Sequence, residues 1–250
     1  MFVHQKKVLA LFKKNIMKKT FAFLFLIILC SCSKTLDLST LVLGSNAEQY
    51  DLEHNQNLEK NALKGHYEWK DIDGKKTLTS VDNGETVTNY HEINKIKNQF
   101  NYLGIPTDST WDVKIVVYKD KIAEVNATFS NENSFKLIEK LLKNLGEPTK
   151  IYNETTGFGE HRNQNIYSNF KKYFPKNTNL EKDSIYVDKQ LTHPINVLWD
   201  KENNITTIGI YLDSDDKLRL VFGSMSKKAY FDRVLYPAPL ENSPFYDYLK

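Results

Sequence analysis

Six consecutive residues, Gly157-Phe158-Gly159-Glu160-His161-Arg162, bring the most reactive side chains of this chain next to one another. Glu160 offers a carboxylate, His161 an imidazole that titrates near neutral pH, and Arg162 a permanent cation. Groups of these three kinds can move protons and stabilise a developing anion, which is the chemistry of hydrolysis. The two glycines favour a loop, and loops often carry functional sites. The alternative interpretation is a polar surface loop.

The other motifs that catalysis or metal binding would require do not occur in the sequence. Histidines 54, 66, 91, 161 and 193 lack the His-Glu-x-x-His spacing of a zinc protease. Residues 71–74 and 213–217 are rich in aspartate, but a glycine or a lysine interrupts the ligand order of a calcium loop. Neither a nucleophile elbow nor a phosphate-binding loop is found. We therefore expect no catalytic residue, no cofactor and no metal, and only a metal site assembled from distant residues stays open.

The N-terminal segment has the order of a secretory signal. Met17-Lys18-Lys19 is positive, residues 21–30 are apolar, and the small residue Ser31 precedes Cys32. The apolar run has ten residues, whereas a membrane-spanning helix needs about 20. A buried core helix would need a polar face, which this run lacks. The pattern therefore predicts a signal peptide over residues 1–31.

Leu29-Cys30-Ser31-Cys32 resembles the lipobox of bacterial lipoproteins. The resemblance implies cleavage between Ser31 and Cys32, lipid on Cys32, and attachment of the mature chain to a membrane. Cleavage without lipid is the alternative. The chain is thus similar to bacterial envelope lipoproteins, and short Asp-Ser segments at 108–110 and 183–185 resemble O-glycosylation sites of the Bacteroidetes type. Ser33, in place of an aspartate, favours the outer membrane, and the absence of an acidic run favours its periplasmic side.

Removal of the signal changes the composition of the chain. Met17 begins a complete signal by itself, so we interpret it as the true start; a long basic leader is the alternative. Residues 1–31 carry six lysines and no acid, so of 34 basic and 31 acidic residues the remainder keeps 28 and 31, a net charge of −3. This remainder has no basic footprint for nucleic acid. Cys32 is its only cysteine, which excludes an internal disulfide and a cysteine-based zinc site.

Behind the signal, the sequence predicts a short tether over residues 32–40 and a single α+β domain over residues 41–250. Ser45 and Glu48 have capping-box spacing and predict a helix that starts near Ser45. Asp73-Gly74 and Asn83-Gly84 predict hairpin turns.

Two segments, 88–107 and 130–149, share an apolar stripe at helical spacing and the ending Leu-Gly-x-Pro-Thr. Thr88 and Ser130 are suitable N-caps, and Gly104 and Gly146 are suitable helix ends. Predicted hairpins follow at 113–129 and 195–212, with a further strand at 218–222. These features predict two helix–hairpin repeats, at about 88–129 and 130–222, the second with an insert at 150–194. The alternative is chance use of a common helix stop.

Such repeats imply helices packed on one face of an antiparallel sheet. A helix that ends in Leu-Gly-x-Pro before a sheet carrying tryptophan is similar to outer-membrane assembly-factor lipoproteins and to β-lactamase-inhibitor-like domains. The insert and the lack of a Gly-Met-Thr helix entry depart from that pattern. The resemblance bears on the fold and does not transfer a function.

The sequence as a whole predicts a membrane-anchored envelope lipoprotein whose domain is a non-catalytic protein-interaction or binding module. Its partners would be the membrane, through lipid on Cys32, and an envelope protein. The alternative is a carbohydrate-binding protein or a hydrolase whose site is built from dispersed residues, with Glu160 and His161 as the first candidates.

Overall fold

Antiparallel strands make up most of the residues that the structure describes. The computed structural model describes residues 35–93, 99–108, 113–158, 164–182, 189–212, 217–232 and 244–249. Contacts divide the chain after Thr35, and Leu36–Lys250 form one unit. The strands described are β1 Leu36–Asp37, β2 Leu58–Ile72, β3 Lys75–Glu92, β4 Phe100–Tyr102, β5 Ile105–Pro106, β6 Lys114–Tyr118, β7 Lys121–Ser130, β8 Lys150–Phe158, β9 Asn179–Lys182, β10 Lys189–Asp200, β11 Asn204–Leu212 and β12 Leu218–Ser226.

The helices are few and mostly short. They are α1 Glu132–Leu145, α2 Gln164–Tyr173, α3 Lys227–Phe231 and α4 Tyr246–Leu249, with single 3-10 turns at Leu38–Thr40, Ala47–Tyr50 and Leu52–His54. The fold is therefore α+β but mainly β, which confirms the predicted class only in its coarse form.

One large antiparallel sheet has the strand order β2-β3-β6-β7-β12-β11-β10-β8, with β9 also paired to β10. Its centre is the pairing of β7 with β12, which joins an N-terminal group of strands to a C-terminal group. A small second sheet is formed by β1, β4 and β5, in which β1 runs parallel to β4.

Alternate residues of the central strands point to opposite faces of the large sheet. On one face, here called the covered face, apolar side chains pack against α1 and α2 and are almost fully buried. These side chains include Phe129, Trp199, Ile208, Leu220 and Phe222 from the sheet and Leu137, Ile138, Leu141 and Phe170 from the helices. The other face, here called the open face, is only partly covered.

The predicted helix that ends at Gly146 is confirmed as α1. Gly146 has φ of +77° and donates its N–H to the carbonyl of Leu142, as expected for a helix end. The Trp199 indole donates to the Gly146 carbonyl at 2.9 Å, which ties this end of α1 to β10. The N-cap is Asn131, because the predicted cap Ser130 is still paired in β7.

The first predicted helix of the repeat is wrong at residues 88–92 and 100–102, while residues 94–98 lie outside the described residues, and the repeat itself is not confirmed. Thr88 to Glu92 belong to β3, which pairs with β2 on one side and with β6 on the other. Phe100–Tyr102 is the short strand β4. Two neighbouring strands satisfy the backbone groups of residues 87–91, and this pairing outweighs the helical spacing of the apolar residues.

The predicted hairpins are confirmed at 113–129 and 195–212, and so are the strand at 218–222 and the turn at Asp73-Gly74. The turn predicted at Asn83-Gly84 is wrong. Residues 82–85 form a bulge within β3, where the register with β2 shifts opposite Gly65. A Cβ at Gly65 would lie 1.9 Å from the Val81 carbonyl, so only glycine permits this close approach.

Residues 64–86 of β2 and β3 form a two-stranded arm, because β6 pairs with β3 only at residues 87–91 in the part of the chain that the structure describes. The predicted helix near Ser45 is a single 3-10 turn, Ala47–Tyr50, capped by Asn46. The folded region also begins before residue 41: Leu36 pairs with Phe100 and Leu38 is fully buried, so only part of the predicted tether lies outside the domain.

Helices are not confined to one face of the sheet, which corrects a further prediction. Ala229 and Tyr230 of α3 and Phe245 beside α4 pack on the open face, against Val116 and Leu198. They cover its apolar end, and the other described residues leave the remainder of this face accessible.

Candidate functional site

The open face contains a groove with a volume of about 480 Å³. We call it the sheet groove. It lies over β6, β7, β12, β11 and β10, and α3 and the residues around α4 close one end. Its lining includes His91, Lys114, Glu124, Asn126, Thr128, Asn196, Ile205, Thr207, Gly209, Tyr211, Val221, Gly223, Met225, Tyr230, Phe245 and Leu249.

Strand register brings the polar lining residues together in two rows. In the first row, Thr207 pairs with Gly223, Gly223 with Asn126, and Asn126 with Lys114. In the second row, Asn196 pairs with Gly209, Gly209 with Val221, and Val221 with Thr128. Neighbouring strands lie about 4.8 Å apart. Each row therefore presents its side chains at a spacing that one small ligand can span.

Two glycines lower the floor of the sheet groove. A Cβ at Gly223 would lie 2.7 Å from Oδ1 of Asn126 and 3.3 Å from Oγ1 of Thr207. A Cβ at Gly209 would lie 3.3 Å from Cε2 of Tyr211 and 3.6 Å from Oδ1 of Asn196. Neither glycine has a positive φ, so the backbone does not require them. Their small size lets the Tyr211 side chain lie close to Gly209 and the ends of the Asn126 and Thr207 side chains lie close to Gly223. Glycine within a strand often marks such a close approach.

The amide and hydroxyl groups beside these glycines are not used by the fold. Within the described part of the chain, the side chains of Asn126, Asn196 and Thr207 make no hydrogen bond to protein groups. All three are half-buried. A half-buried polar group without a protein partner needs water or a ligand. These side chains are consequently the chemically available groups of the sheet groove.

One ion pair occupies the wall of the sheet groove. Nζ of Lys114 lies 3.1 Å from Oε2 of Glu124, and the Glu124 side chain is only 6% exposed. His91 pairs with Lys114 across β3 and β6. Because the carboxylate is almost enclosed and the lysine faces it, the pair adds no net charge to the sheet groove.

Aromatic and apolar side chains complete the lining. Tyr211 is 52% exposed, its ring edge adjoins Gly209, and the guanidinium of Arg219 lies 4.9 Å from the ring centroid. At the opposite, closed end, Phe245 packs with its ring centroid 5.6 Å from that of Tyr152. The apolar side chains at that end are Ile205, Met225, Tyr230, Phe245 and Leu249.

A second polar cluster on the open face is fully engaged. The Tyr118 hydroxyl lies 3.0 Å from Oδ2 of Asp232 and within hydrogen-bond distance of Glu85. Lys119 lies 2.5 Å from Glu85, and Lys228 lies 2.7 Å from Asp232. Burial, followed by these two carboxylates, raises the pKa of Tyr118.

Hydrogen bonds from Lys119 and then from Tyr118 lower the pKa of Glu85. Burial alone would raise the pKa of Asp232, but hydrogen bonds from Lys228 and Tyr118 outweigh it and lower that pKa. This second cluster therefore stabilises structure, whereas the groups of the sheet groove remain available.

The site residues predicted from the sequence lie outside the described residues. These are Ser31 and Cys32 at the cleavage and lipidation position and the loop residues Glu160, His161 and Arg162. Gly157 and Phe158, the first two residues of the predicted loop, instead end strand β8, and Phe158 is buried. The structure therefore leaves both predictions as they stood.

The residues of the sheet groove were missed by the sequence analysis, although a signal for them exists. Gly209 lies within the predicted hairpin at 195–212, and Gly223 directly follows the predicted strand at 218–222. Glycine in a strand interior weakens the strand and commonly marks a bulge or a close approach. Two such glycines in consecutive strands indicate a depression in the sheet.

Comparison with protein-family models, with curated proteins and with solved structures finds no match to this chain. Among the described residues, no helix is long and apolar enough to span a membrane. The same residues contain no group of three or more histidine, cysteine, aspartate or glutamate side chains that could hold a metal ion. The interpretation of the sheet groove therefore depends on its geometry.

Proposed function

We propose that this protein is an envelope lipoprotein whose domain binds a small polar ligand in the sheet groove. One observation carries the proposal: Asn126, Asn196 and Thr207 hold unused hydrogen-bonding groups around a floor made of glycine. Half-buried groups of this kind bind water when they have no protein partner. A ligand that offers complementary hydrogen-bonding groups can replace that water.

The volume and the lining of the sheet groove also support binding of a small molecule. Its volume of about 480 Å³ falls in the usual range for ligand pockets, which is roughly 300–1,000 Å³. Such pockets combine apolar walls with a few well-placed polar groups. Here Ile205, Met225 and Phe245 supply apolar wall, and the amides supply the polar groups.

The position of Glu124 favours binding over hydrolysis. Hydrolysis of glycosides uses two carboxyl groups, one of them free to exchange a proton with the substrate. Glu124 faces Lys114 at 3.1 Å and is nearly enclosed. Its carboxylate thus completes an ion pair in the wall of the sheet groove.

The proposed anchor is lipid on Cys32, in the outer membrane and facing the periplasm. Each buried CH₂ of a lipid chain contributes about 0.8 kcal/mol, and two or more chains give stable attachment. Cys32→Ser is expected to shift the protein from the membrane fraction to the soluble fraction on centrifugation. Cys30→Ser, two residues earlier, is the matched control and is expected to stay with membranes. Equal membrane attachment of both variants would contradict the lipid anchor.

A photo-crosslinking amino acid in the sheet groove tests the binding proposal for any class of ligand. Val221 is 37% exposed in the sheet groove, and Ile72 is 46% exposed at the end of the arm, so they form a matched pair. After irradiation of cells of the native host, mass spectrometry is expected to find a small added mass on the peptide that contains position 221. Position 72 is expected to gain none.

The same experiment has two outcomes that contradict the proposal. A high-molecular-weight adduct at position 72 without any adduct at position 221 would assign the function to protein contacts of the arm. No adduct at position 221 under conditions where a surface protein is labelled efficiently would show that the sheet groove carries no ligand.

A further inference from the structure

We infer that the ligand of the sheet groove is a short neutral carbohydrate, an assignment that rests on the proposed function and names its ligand class. Three features of the sheet groove support a neutral carbohydrate: its available hydrogen-bonding groups, its charge, and the exposed ring of Tyr211.

The unused polar groups match sugar hydroxyls. A side-chain amide offers two N–H donors and a carbonyl acceptor, and a threonine hydroxyl both donates and accepts. A sugar hydroxyl likewise donates one hydrogen bond and accepts others. Asn126 and Thr207 lie on either side of Gly223, and Asn196 lies beside Gly209. A sugar ring bound in the sheet groove beside these side chains would therefore meet such groups along two of its edges.

The charge of the sheet groove excludes a strongly charged ligand. Lys114 and Glu124 neutralise each other at 3.1 Å, and His91 lies beside Lys114. The guanidinium of Arg219 lies 4.9 Å from the centroid of the Tyr211 ring, so this cation contacts the tyrosine. An anionic ligand such as a phosphate or a uronic acid is normally held by arginine or lysine that faces it directly. Here the lysine already faces a carboxylate, so a neutral ligand fits best.

Tyr211 provides a surface for the apolar side of a sugar ring. An aromatic side chain combines a large apolar area with a polar tip, which suits a ligand that has both C–H and O–H groups. Tyr211 is 52% exposed and adjoins Gly209, so its ring lies low in the sheet groove beside Asn196. A sugar ring can rest on Tyr211 while its hydroxyls reach the amides.

A lipid chain fits the same surface less well. Ile205, Met225 and Phe245 would accept an acyl chain at the closed end. The same chain would cover Asn126, Asn196 and Thr207 without offering them a hydrogen bond, and each uncompensated group would weaken binding about tenfold or more. A carbohydrate satisfies these groups and also covers the aromatic rings.

Binding to an array of oligosaccharides tests this inference. The full-length protein is purified in a detergent without a sugar headgroup, so that the detergent does not compete. The array carries neutral oligosaccharides of glucose, galactose, mannose and N-acetylglucosamine, together with uronic-acid-containing and sulfated counterparts. We expect retention on neutral glycans and not on their charged counterparts. Calorimetric titration then measures the affinity for the glycan that binds best.

Two variants and two matched controls assign that binding to the sheet groove. Asn126→Ala and Tyr211→Ala are each expected to weaken binding about tenfold or more, because each removes one direct contact. Tyr248→Ala removes a tyrosine of similar exposure outside the sheet groove, and Gly157→Ala adds a methyl in open space. Both controls are expected to bind within about twofold of the unmodified protein. Thermal melting of every variant separates lost contacts from lost folding.

The possible failures are distinguishable from one another. Preference for charged glycans, or release of a bound lipid on extraction, would overturn the carbohydrate assignment. Absence of any glycan binding together with a small adduct at position 221 would also overturn it, and would leave the proposed binding function intact. Absence of both glycan binding and adduct would overturn both proposals.

Discussion

The covered face and the open face are built from the same central strands but use opposite kinds of residue. Phe222 is fully buried under the helices, and its neighbours in sequence, Val221 and Gly223, line the sheet groove. Likewise Ile208 is fully buried between Thr207 and Gly209. Each strand thus supplies core with one set of alternate residues and the candidate site with the other.

This comparison shows that side-chain volume, rather than the backbone, separates a core from a site here. On the covered face large side chains pack against α1 and α2 and are almost fully buried. On the open face glycines and half-buried polar side chains line a groove. Substitutions that remove side-chain volume from the covered face should mainly lower stability. Substitutions that add volume to the open face should mainly weaken ligand binding.

The largest effect is expected from Phe222→Ala on the covered face. Removal of a fully buried phenylalanine should lower the free energy of unfolding by about 3–5 kcal/mol, because burial is lost and a cavity remains. Urea denaturation of the purified protein measures this value. The control is Val221→Ala, the preceding residue on the open face, with an expected loss of about 1 kcal/mol or less. Equal losses would show that the two faces do not differ in packing.

A smaller and pH-dependent effect is expected from Asp232→Asn on the open face. The pKa of Asp232 is lowered in the folded protein, so its ionised form stabilises the fold above the unfolded pKa near 4. That stabilisation is lost as the pH falls through the folded pKa. The variant should be less stable by about 1 kcal/mol at pH 7 and should approach the unmodified protein at low pH. A difference that does not change between these conditions would exclude the electrostatic explanation.

The smallest effect on stability is expected from Gly223→Ala. The new methyl group would meet the end of the Asn126 side chain, which can rotate away, so the cost should stay at or below about 1 kcal/mol. Ligand binding should nevertheless fall strongly, because Asn126 leaves its position. Gly157→Ala is the control, with open space around its Cβ position and no expected loss of stability or binding. Parallel melting and glycan titration compare the two variants, and unchanged binding by Gly223→Ala would argue against the sheet groove.

Local patterns predicted some elements of this fold well. The apolar spacing and the Gly146 stop predict α1, and apolar runs joined by short polar turns predict β6, β7, β11 and β12. The pattern over residues 88–103 gave a wrong prediction. Its apolar spacing suits a helix, but pairing of β3 with β2 and β6 holds Thr88 to Glu92 in a strand. Tertiary pairing often overrides local preference in this way.

The sheet groove could not be predicted from local sequence patterns, for a different reason. Its rows require Asn126 to lie beside Gly223 and Asn196 beside Gly209. Nothing in the sequence states which strands are neighbours, so the mid-strand glycines indicate a depression without naming the side chains around it. Only the three-dimensional structure shows that the side chains of Asn126 and Thr207 make no hydrogen bond to the described protein groups around them.

The central pairing of β7 with β12 has a consequence for how the protein reaches its native state. It joins residues 121–130 to residues 218–226, and contacts so distant in sequence tend to form late and slowly. Until β12 pairs with it, β7 has an unpaired edge whose free backbone groups can pair with strands of other chains. Because the first row of the sheet groove crosses this junction, ligand recognition should mature last, after the rest of each half has folded.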